Sequence, residues 1–173
     1  MTRAVLSIGS NLGDRLAWLQ SAVDGIGPAV LAASAVYESE PWGGVEQGPF
    51  LNAVLIVDDP ERDARSWLHR AQELERCAQR VRLQRWGPRT LDVDVICCYD
   101  SPGGTELLSG DEELTLPHPR AHQRAFVLLP WLQIDPQAHL TVSARRCPVA
   151  ELLDGLDPAE RAALRPTDLV LRY

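Results

Sequence analysis

The chain has 173 residues, of which 45% are hydrophobic and 24% charged, a size and balance that suit one globular domain with a real core. Its formal charge of -7 argues against a nucleic-acid-binding protein that works through a broad basic face. All 17 basic residues are arginines, so any phosphate site must be built from guanidinium groups.

The cysteines and the N-terminus bear on the compartment. Cys77, Cys97, Cys98 and Cys147 show no CxxC or Cys/His ligand spacing, so we expect free thiols in a reducing compartment rather than disulfides or zinc. The N-terminus lacks the long apolar segment of a signal peptide, and no apolar run approaches membrane length. We therefore expect a cytoplasmic protein that binds no membrane. We also expect a monomer that binds no nucleic acid.

The first half of the chain alternates predicted strands and helices. Short apolar runs bounded by turn residues predict strands, and apolar residues at three-and-four spacing predict helices. These elements are strands over residues 4–8, 30–39 and 50–58, and helices over about 15–26 and 60–78. Between the second and third strands, residues 41–49 contain three glycines and two prolines, a composition typical of a long exposed loop and often of a lid.

The most informative stretch covers residues 85–96. It passes from a basic loop into an apolar run whose only polar members are Asp92 and Asp94, and this run predicts a buried strand. Because side chains alternate along a strand, the two aspartates project together while Val93 points into a core. Two bare carboxylates repel, so either an arginine or a divalent cation must lie between them. Hard oxygen ligands beside a phosphate are typical of a Mg²⁺ site.

The residues alone leave two interpretations of the aspartate pair open. The plainer one is structural pairing with Arg85 and Arg89, without any metal. The other is a polyphosphate site, which is favoured by four arginines within ten residues beside the pair. Those arginines are Arg80, Arg82, Arg85 and Arg89.

The run from Arg85 to Arg89, followed by Asp92 and Asp94, resembles the signature of the hydroxymethyldihydropterin pyrophosphokinase family. Residues 8–13, straight after the first strand, resemble the start of the same family, and the resemblance extends over about residues 4–136. It implies transfer of diphosphate from ATP to 6-hydroxymethyl-7,8-dihydropterin, releasing AMP, in folate biosynthesis. It also implies ATP as co-substrate and two Mg²⁺ ions held by Asp92 and Asp94.

The resemblance implies roles for further residues. Arg82 and Arg89 would act with the two aspartates in catalysis. The residues implied for pterin binding are Ser39, Trp42, Phe50, Asn52 and Phe126. The residues implied for nucleotide binding are Gln72, Glu75, Arg80, Arg82, Trp86, Arg89, Ile96, Thr115, His118 and Arg124.

Plainer roles stay open for several of these. Asn52 interrupts an apolar strand, and such an asparagine is as often satisfied by backbone groups as aimed at a heterocycle. Glu75, near the end of a predicted helix, is by composition a solvated surface charge. His118 and His122 have the spacing of a metal pair on a helix, but prolines on either side of His118 disfavour a helix and a zinc site.

The second half predicts a small hairpin over residues 106–116, a helix over 125–134 and a C-terminal cap over 137–173 with short helices at 147–153 and 158–164. The order strand, helix, strand, strand, helix, strand predicts a ferredoxin-like α+β fold, an antiparallel sheet with helices on one face. A different split βαβ arrangement stays open. We expect a single domain over residues 1–173, with the first and fourth strands central and the aspartate pair in mid-sheet.

Two rival functions belong to other classes. One is a different two-metal phosphoryl-transfer enzyme, such as a nucleotidyltransferase that uses the same aspartate pair. The other is a non-catalytic nucleotide- or pterin-binding module whose aspartates only pair with arginine.

Overall fold

The computed structural model describes residues 2–41, 46–79, 88–101 and 104–173. The strands are β1 Thr2–Ser10, β2 Val30–Ala33, β3 Tyr37–Ser39, β4 Phe50–Asp59, β5 Asp92–Asp100, β6 Ser109–Gly110, β7 Thr115–Leu116, β8 His139–Val142, β9 Arg145–Pro148 and β10 Arg165–Pro166. The helices are α1 Arg15–Ile26, α2 Ala64–Cys77, α3 Ala125–Ile134, α4 Val149–Asp154 and α5 Pro158–Ala162. Within these described ranges, no helix is long and apolar enough to cross a membrane.

The main sheet has the strand order β10-β3-β4-β1-β5, with β2 also paired to β4, and each pairing is antiparallel. This architecture confirms the predicted ferredoxin-like α+β fold. The expected central position of the fourth predicted strand is wrong, because β5 lies outside β1 and the centre is formed by β1 and β4. The chain returns through α2 to the free edge of β1, since the opposite edge of β1 already pairs with β4 along its whole length.

Two predicted boundaries also change. The strand expected over residues 30–39 is divided into β2 and β3 at Ser34, whose Oγ accepts the backbone N–H of Val54 at 2.9 Å. A side chain there takes the place of a backbone acceptor, so the regular ladder is interrupted. The second helix begins at Ala64 rather than at residue 60, because the Asp63 carboxylate caps it by accepting the backbone N–H of Ser66 at 2.7 Å.

Helices cover both faces of the sheet, not one as predicted. On the first face, α1 and α2 pack against β1, β4 and β5 through side chains such as Leu19 and Trp67. On the second face, α3 and α4 cover Val5 and Ile96 through side chains such as Trp131. The sequence of α3 is apolar nearly all round, which is typical of a helix buried between layers.

A β-bulge in β5 separates a polar part of the strand from an apolar part. Leu6 pairs with Val95 while Val5 pairs with Cys97, so Ile96 is the extra residue. Before the bulge, Val93 and Val95 face the first core and Asp92 and Asp94 face the opposite side, as the alternation predicts. After the bulge, Ile96 and Cys97 both enter the second core. One strand therefore supplies a polar pocket and then a hydrophobic core on the same side of the sheet.

The segments after β5 differ from the prediction in both directions. The expected hairpin over residues 106–116 is reduced to the short pair β6 and β7. The C-terminal cap contains an unpredicted hairpin of β8 and β9, and β10 adds a strand to the main sheet beside β3. The cysteines are free, with Cys97 and Cys98 buried, as the sequence predicts.

Candidate active site

A pocket opens on the second face of the sheet, at the N-terminal end of β5, and spans ≈ 610 Å³ of space, part of it open to solvent. It brings together residues that are far apart in the sequence but were all predicted to belong to the active site. The predicted site residues that line it are Ser39, Phe50, Asn52, Arg89, Asp92, Asp94, Arg124 and Phe126. Carboxylates, guanidinium groups and aromatic rings thus converge on one cavity.

Small residues of β1 form the floor of this pocket. Gly9 pairs with Asn52 on one side and with Asp92 on the other, and Ser7 pairs with Asp94. The absence of bulk at positions 7 and 9 leaves room above the sheet between the two neighbouring strands. Sequence reasoning missed both residues, although they alternate with the buried apolar residues of β1 and so had to share the opposite face.

The two aspartates have different arginine partners. Arg89 Nη1 lies 2.8 Å from Asp92 Oδ2, and Arg124 Nη1 lies 3.3 Å from Asp94 Oδ2. Burial, and then the charge of Asp92, raise the pKa of Asp94 to about 7, although Arg124 opposes the shift. Ionised Asp94 is therefore costly in this buried setting even beside Arg124, and a further cation at the pair would lower that cost.

His118 lies beside Asp94 as a neutral side chain, although it is not among the lining residues of the pocket. Its Nε2 is 3.9 Å from Asp94 Oδ2. Burial, and then the nearby charge of Arg124, lower the pKa of His118 to about 4. Its Nδ1 accepts the backbone N–H of Arg120 at 3.1 Å, which places the imidazole proton on Nε2. The residue can thus donate a hydrogen bond toward the pocket without adding a positive charge.

The other end of the pocket combines apolar rings with a buried amide. Asn52 Nδ2 donates to Ser39 Oγ at 2.8 Å, which fixes the amide plane. The Cβ of a side chain at Gly9 would lie 3.4 Å from Asn52 Oδ1, so the carbonyl end of the amide is directed over the floor. Phe50 and Phe126 line the same space, and the Arg124 guanidinium lies 5.4 Å from the Phe126 ring centroid. A flat, polar-edged ring fits such a site.

Other predicted nucleotide residues lie elsewhere. The interpretation of Glu75 as a solvated charge is wrong, because the side chain is buried and accepts the backbone N–H of Val93 at 2.9 Å. Ile96 packs in the second core, and its carbonyl accepts the backbone N–H of His118 at 2.7 Å. Gln72 is exposed on α2. Thr115 is exposed on β7. None of these four is among the lining residues of the pocket described above.

Part of the prediction falls outside the described residues. Trp42 lies in the 42–45 gap, and Arg80, Arg82, Arg85 and Trp86 lie in the 80–87 gap. Of the two arginines that the structural-pairing interpretation invoked, Arg85 lies outside the described residues and Arg89 pairs with Asp92. The partner that Asp94 has, Arg124, was expected at the nucleotide and not at a carboxylate.

Fold and pocket together define a class of protein: an enzyme with a ferredoxin-like sheet whose edge strand presents paired carboxylates among arginines, an arrangement suited to phosphoryl groups. The family model described as 7,8-dihydro-6-hydroxymethylpterin-pyrophosphokinase (HPPK) matches residues 5–136. The chain belongs to this family.

Relatives agree with this assignment, and a solved structure agrees with the fold. A 2-amino-4-hydroxy-6-hydroxymethyldihydropteridine pyrophosphokinase of Mycobacterium leprae is 61% identical over 176 residues, covering 99% of this chain and 92% of the relative. The protein of the same name from Mycobacterium tuberculosis is 60% identical over 168 residues, covering 95% and 89%. A crystal structure of wild-type Plasmodium falciparum HPPK-DHPS shares the fold, with a TM-score of 0.62 at 13% identity over 89% of this chain. This chain spans 43% of that longer one.

Proposed function

We propose that the protein transfers diphosphate from ATP to the hydroxymethyl group of 6-hydroxymethyl-7,8-dihydropterin, releasing AMP, as a step of folate biosynthesis. The observation that carries the proposal is the meeting of Asp92 and Asp94 with Phe50, Asn52 and Phe126 in one pocket. The first pair suits a polyphosphate and the second set suits a pterin ring. Membership of the pyrophosphokinase family joins the two halves into one reaction.

The aspartate pair fits Mg²⁺. Carboxylate oxygens are the ligands this ion prefers, and burial with mutual repulsion raises the pKa of Asp94 to about 7, which a bound cation would relieve. Among the described residues, no group of three or more His, Cys, Asp and Glu side chains is placed to hold a metal, so phosphate oxygens and water would complete the coordination. Two Mg²⁺ ions held by Asp92 and Asp94 would neutralise the triphosphate and orient its β-phosphorus.

The reaction is a displacement at phosphorus. The hydroxymethyl oxygen attacks the β-phosphorus and its proton is lost to solvent. The bond from that phosphorus to the oxygen shared with the α-phosphate breaks, and AMP leaves with that oxygen. Arg89 and Arg124 lie beside the carboxylates, where they contact the phosphate oxygens and stabilise charge that moves toward AMP. His118, neutral and protonated on Nε2, donates to the same oxygens.

The pterin is held by the other half of the pocket. Phe50 and Phe126 stack against its ring, and Asn52 reads an edge that presents both donors and acceptors. Ser39 fixes the Asn52 amide. The resemblance to the family assigns Trp42, outside the described residues, to the same pterin site.

Further nucleotide contacts are proposed on the same resemblance. Arg82 acts with Arg89 on the phosphates. The remaining contacts are assigned to Arg80 and Trp86 and to Gln72, Ile96 and Thr115, which are not among the lining residues of the pocket described above. Glu75 supports the nucleotide site through its hydrogen bond to Val93. We also propose that the chain works as a single-domain monomer in the cytoplasm, where its co-substrate ATP is available and free cysteines stay reduced.

One assay tests the proposal against both rival functions. The protein is incubated with ATP, Mg²⁺ and 6-hydroxymethyl-7,8-dihydropterin, and the nucleotide products are separated. We expect AMP that appears only when the pterin is present. Release of ADP or of pyrophosphate would instead identify a different phosphoryl-transfer enzyme, and ligand binding without turnover would identify a binding module. The Asp92→Asn variant is the control for contaminating kinases.

A further inference from the structure

The C-terminal segment, which lies beyond the residues matched by the family model, contacts the strand that carries Ser39. β10 pairs with the outer edge of β3, and Arg165 lies opposite Glu38 in this pairing. Beyond β10, Thr167 donates twice to the carbonyl of Val36, at 3.1 Å from its N–H and 2.7 Å from its Oγ1. The chain end therefore holds β3 from the side away from the sheet centre.

Arg165 contacts the side chains on both sides of Ser39. Its Nη2 lies 2.8 Å from Glu38 Oε1 and 3.1 Å from Glu40 Oε1. Glu38 is shared with α1, because its Oε2 lies 3.0 Å from Arg15 Nη1. The hydrogen bond from Arg165, and then that from Arg15, hold the pKa of Glu38 below its usual range. These groups form an ion-pair cluster that joins the C-terminal segment, β3 and α1.

The cluster reaches the pocket through two connections. Ser39, between the two glutamates, accepts the hydrogen bond from Asn52 at 2.8 Å. Arg15 Nη1 also donates to the carbonyl of Pro49 at 2.9 Å, next to Phe50. Asn52, proposed to recognise the pterin edge, is thus connected to Arg165 by two contacts through Glu38 and Ser39. Phe50, proposed to stack on the ring, follows Pro49, which is connected to Arg165 by three contacts through Glu38 and Arg15.

Open space lies on the far side of Ser39 and Phe126, which line the candidate active site. A second pocket is lined on one side by Ser39, Glu40 and Phe126, and on the other by Asp157 and Leu164 of the C-terminal segment. Packed side chains do not fill the gap between the two sides. Besides its ladder with β4, β3 is therefore held on this side by contacts at its outer edge, of which those of Arg165 are charge-assisted.

We infer that Arg165 is a positioning residue for the pterin: it fixes β3, and through it Ser39 and Asn52, without touching the substrate. This inference rests on the proposed function. Because Asp92 and Asp94 lie on β5, at the opposite edge of the sheet, the loss of Arg165 should affect the pterin half of the site alone.

The test compares Arg165→Ala with Arg161→Ala in the full chain. Arg161 is a matched control, since it lies in the same segment and pairs with Asp154 at 3.2 Å. Pterin affinity is measured by calorimetry with Mg²⁺ and a non-hydrolysable ATP analogue, and nucleotide affinity is measured separately. The ion pairs of Arg165 are half-exposed and screened by salt, so we expect pterin binding about 3- to 10-fold weaker, with nucleotide affinity, kcat and Tm as in the control. Arg165→Lys should restore part of the loss, because an ammonium group cannot hold both glutamates as a guanidinium does.

Equal pterin affinity of the Arg165→Ala and Arg161→Ala variants would overturn the inference. Equal weakening of pterin and nucleotide binding in Arg165→Ala would also overturn it, since that result indicates general loosening. A wild-type protein that binds no pterin would refute the proposed function itself, and the role of Arg165 with it. Wild-type binding with an unaffected Arg165→Ala variant would refute only the role of Arg165.

Discussion

The buried side chain of Glu75 accepts a 2.9 Å hydrogen bond from the backbone N–H of Val93, the residue between the two aspartates of the pocket. This bond ties the C-terminal half of α2 to β5, the strand at the edge of the main sheet. In the described part of the chain, β5 pairs within the main sheet only with β1, and this bond satisfies a backbone donor of β5 from a helix. The orientation of the aspartate pair is thus set partly from the opposite face.

Replacing Glu75 separates this structural role from a charge effect. Glu75→Ala leaves the Val93 N–H without its acceptor, so we expect a loss of about 1–3 kcal/mol in the free energy of unfolding. Glu75→Gln keeps an acceptor oxygen and should retain most of the stability. Urea denaturation measures both, with Glu73→Ala, an exposed position on the same helix, as control. Equal stability of all three variants would contradict the role of the hydrogen bond.

The aspartates should matter for turnover more than for pterin binding. Asp92→Asn and Asp94→Asn each remove a charged oxygen proposed to hold Mg²⁺ at the transition state, and neither residue belongs to the pterin half of the pocket. We expect turnover to fall by about 10²-fold or more, while pterin affinity changes little. Steady-state kinetics and pterin titration measure the two effects. Asp100→Asn, at the other end of β5, is the control, and near-normal turnover of both pocket variants would refute the metal assignment.

The stability of the metal-free protein should depend on pH through Asp94. The folded-state pKa of Asp94 is raised to about 7, above the unfolded value of about 3.9, so the folded state binds this proton more tightly. The stability that this bound proton contributes to the folded state is fully present below about pH 4, and it is lost as the pH rises through 7. Asp94→Asn, which cannot ionise, should therefore gain stability relative to wild type more at pH 8 than at pH 5. Thermal unfolding in chelator measures the difference, and a pH-independent difference would contradict it.

The arginines should differ in their effects on turnover. Arg89, which pairs with Asp92, and Arg82, which precedes the signature, are both proposed to stabilise phosphate charge. We therefore expect Arg89→Ala and Arg82→Ala to lower turnover by about 10²-fold. Arg80→Ala should matter less. Arg62→Ala removes a surface pair with Asp59 outside the pocket and serves as control. If Arg80→Ala, Arg82→Ala and Arg89→Ala all kept wild-type turnover, the proposed role of these arginines at the phosphates would be refuted, and they would be solvated charges of a loop.

Gly9 should be required by the ligand rather than by the fold. A Cβ added there would lie 3.4 Å from Asn52 Oδ1 and 3.5 Å from Phe50 Cδ1, which are ordinary contact distances, but it would project into the pocket floor. We expect Gly9→Ala to keep the wild-type stability. Pterin binding should weaken about 10-fold or more, because the added methyl group takes up space proposed for the pterin ring. Calorimetry and thermal unfolding measure the two properties. Gly110→Ala, with no atom within 4 Å of the added Cβ, is the control, and unchanged pterin binding would contradict the floor assignment.

The sequence by itself determined the elements and the chemistry that local patterns encode. The alternation around Val93 placed Asp92 and Asp94 on one face, because successive side chains of a strand point to opposite sides whatever lies around them. The helical periods of α1 and α2 and the signature around Arg89 are local in the same way. The absence of lysine is read directly from the composition. These features identified the family and most of the residues that the pocket brings together.

Only the tertiary structure decided how distant segments combine. The partner of Asp94 is Arg124, 30 residues away, and the partner of Glu38 is Arg165, 127 residues away. The edge position of β5, the burial of Glu75 and the floor formed by Gly9 likewise follow from which strands pair and which helices cover them. Such contacts depend on global packing and the exclusion of water, and a sequence pattern with a period of two or four residues carries no information about them.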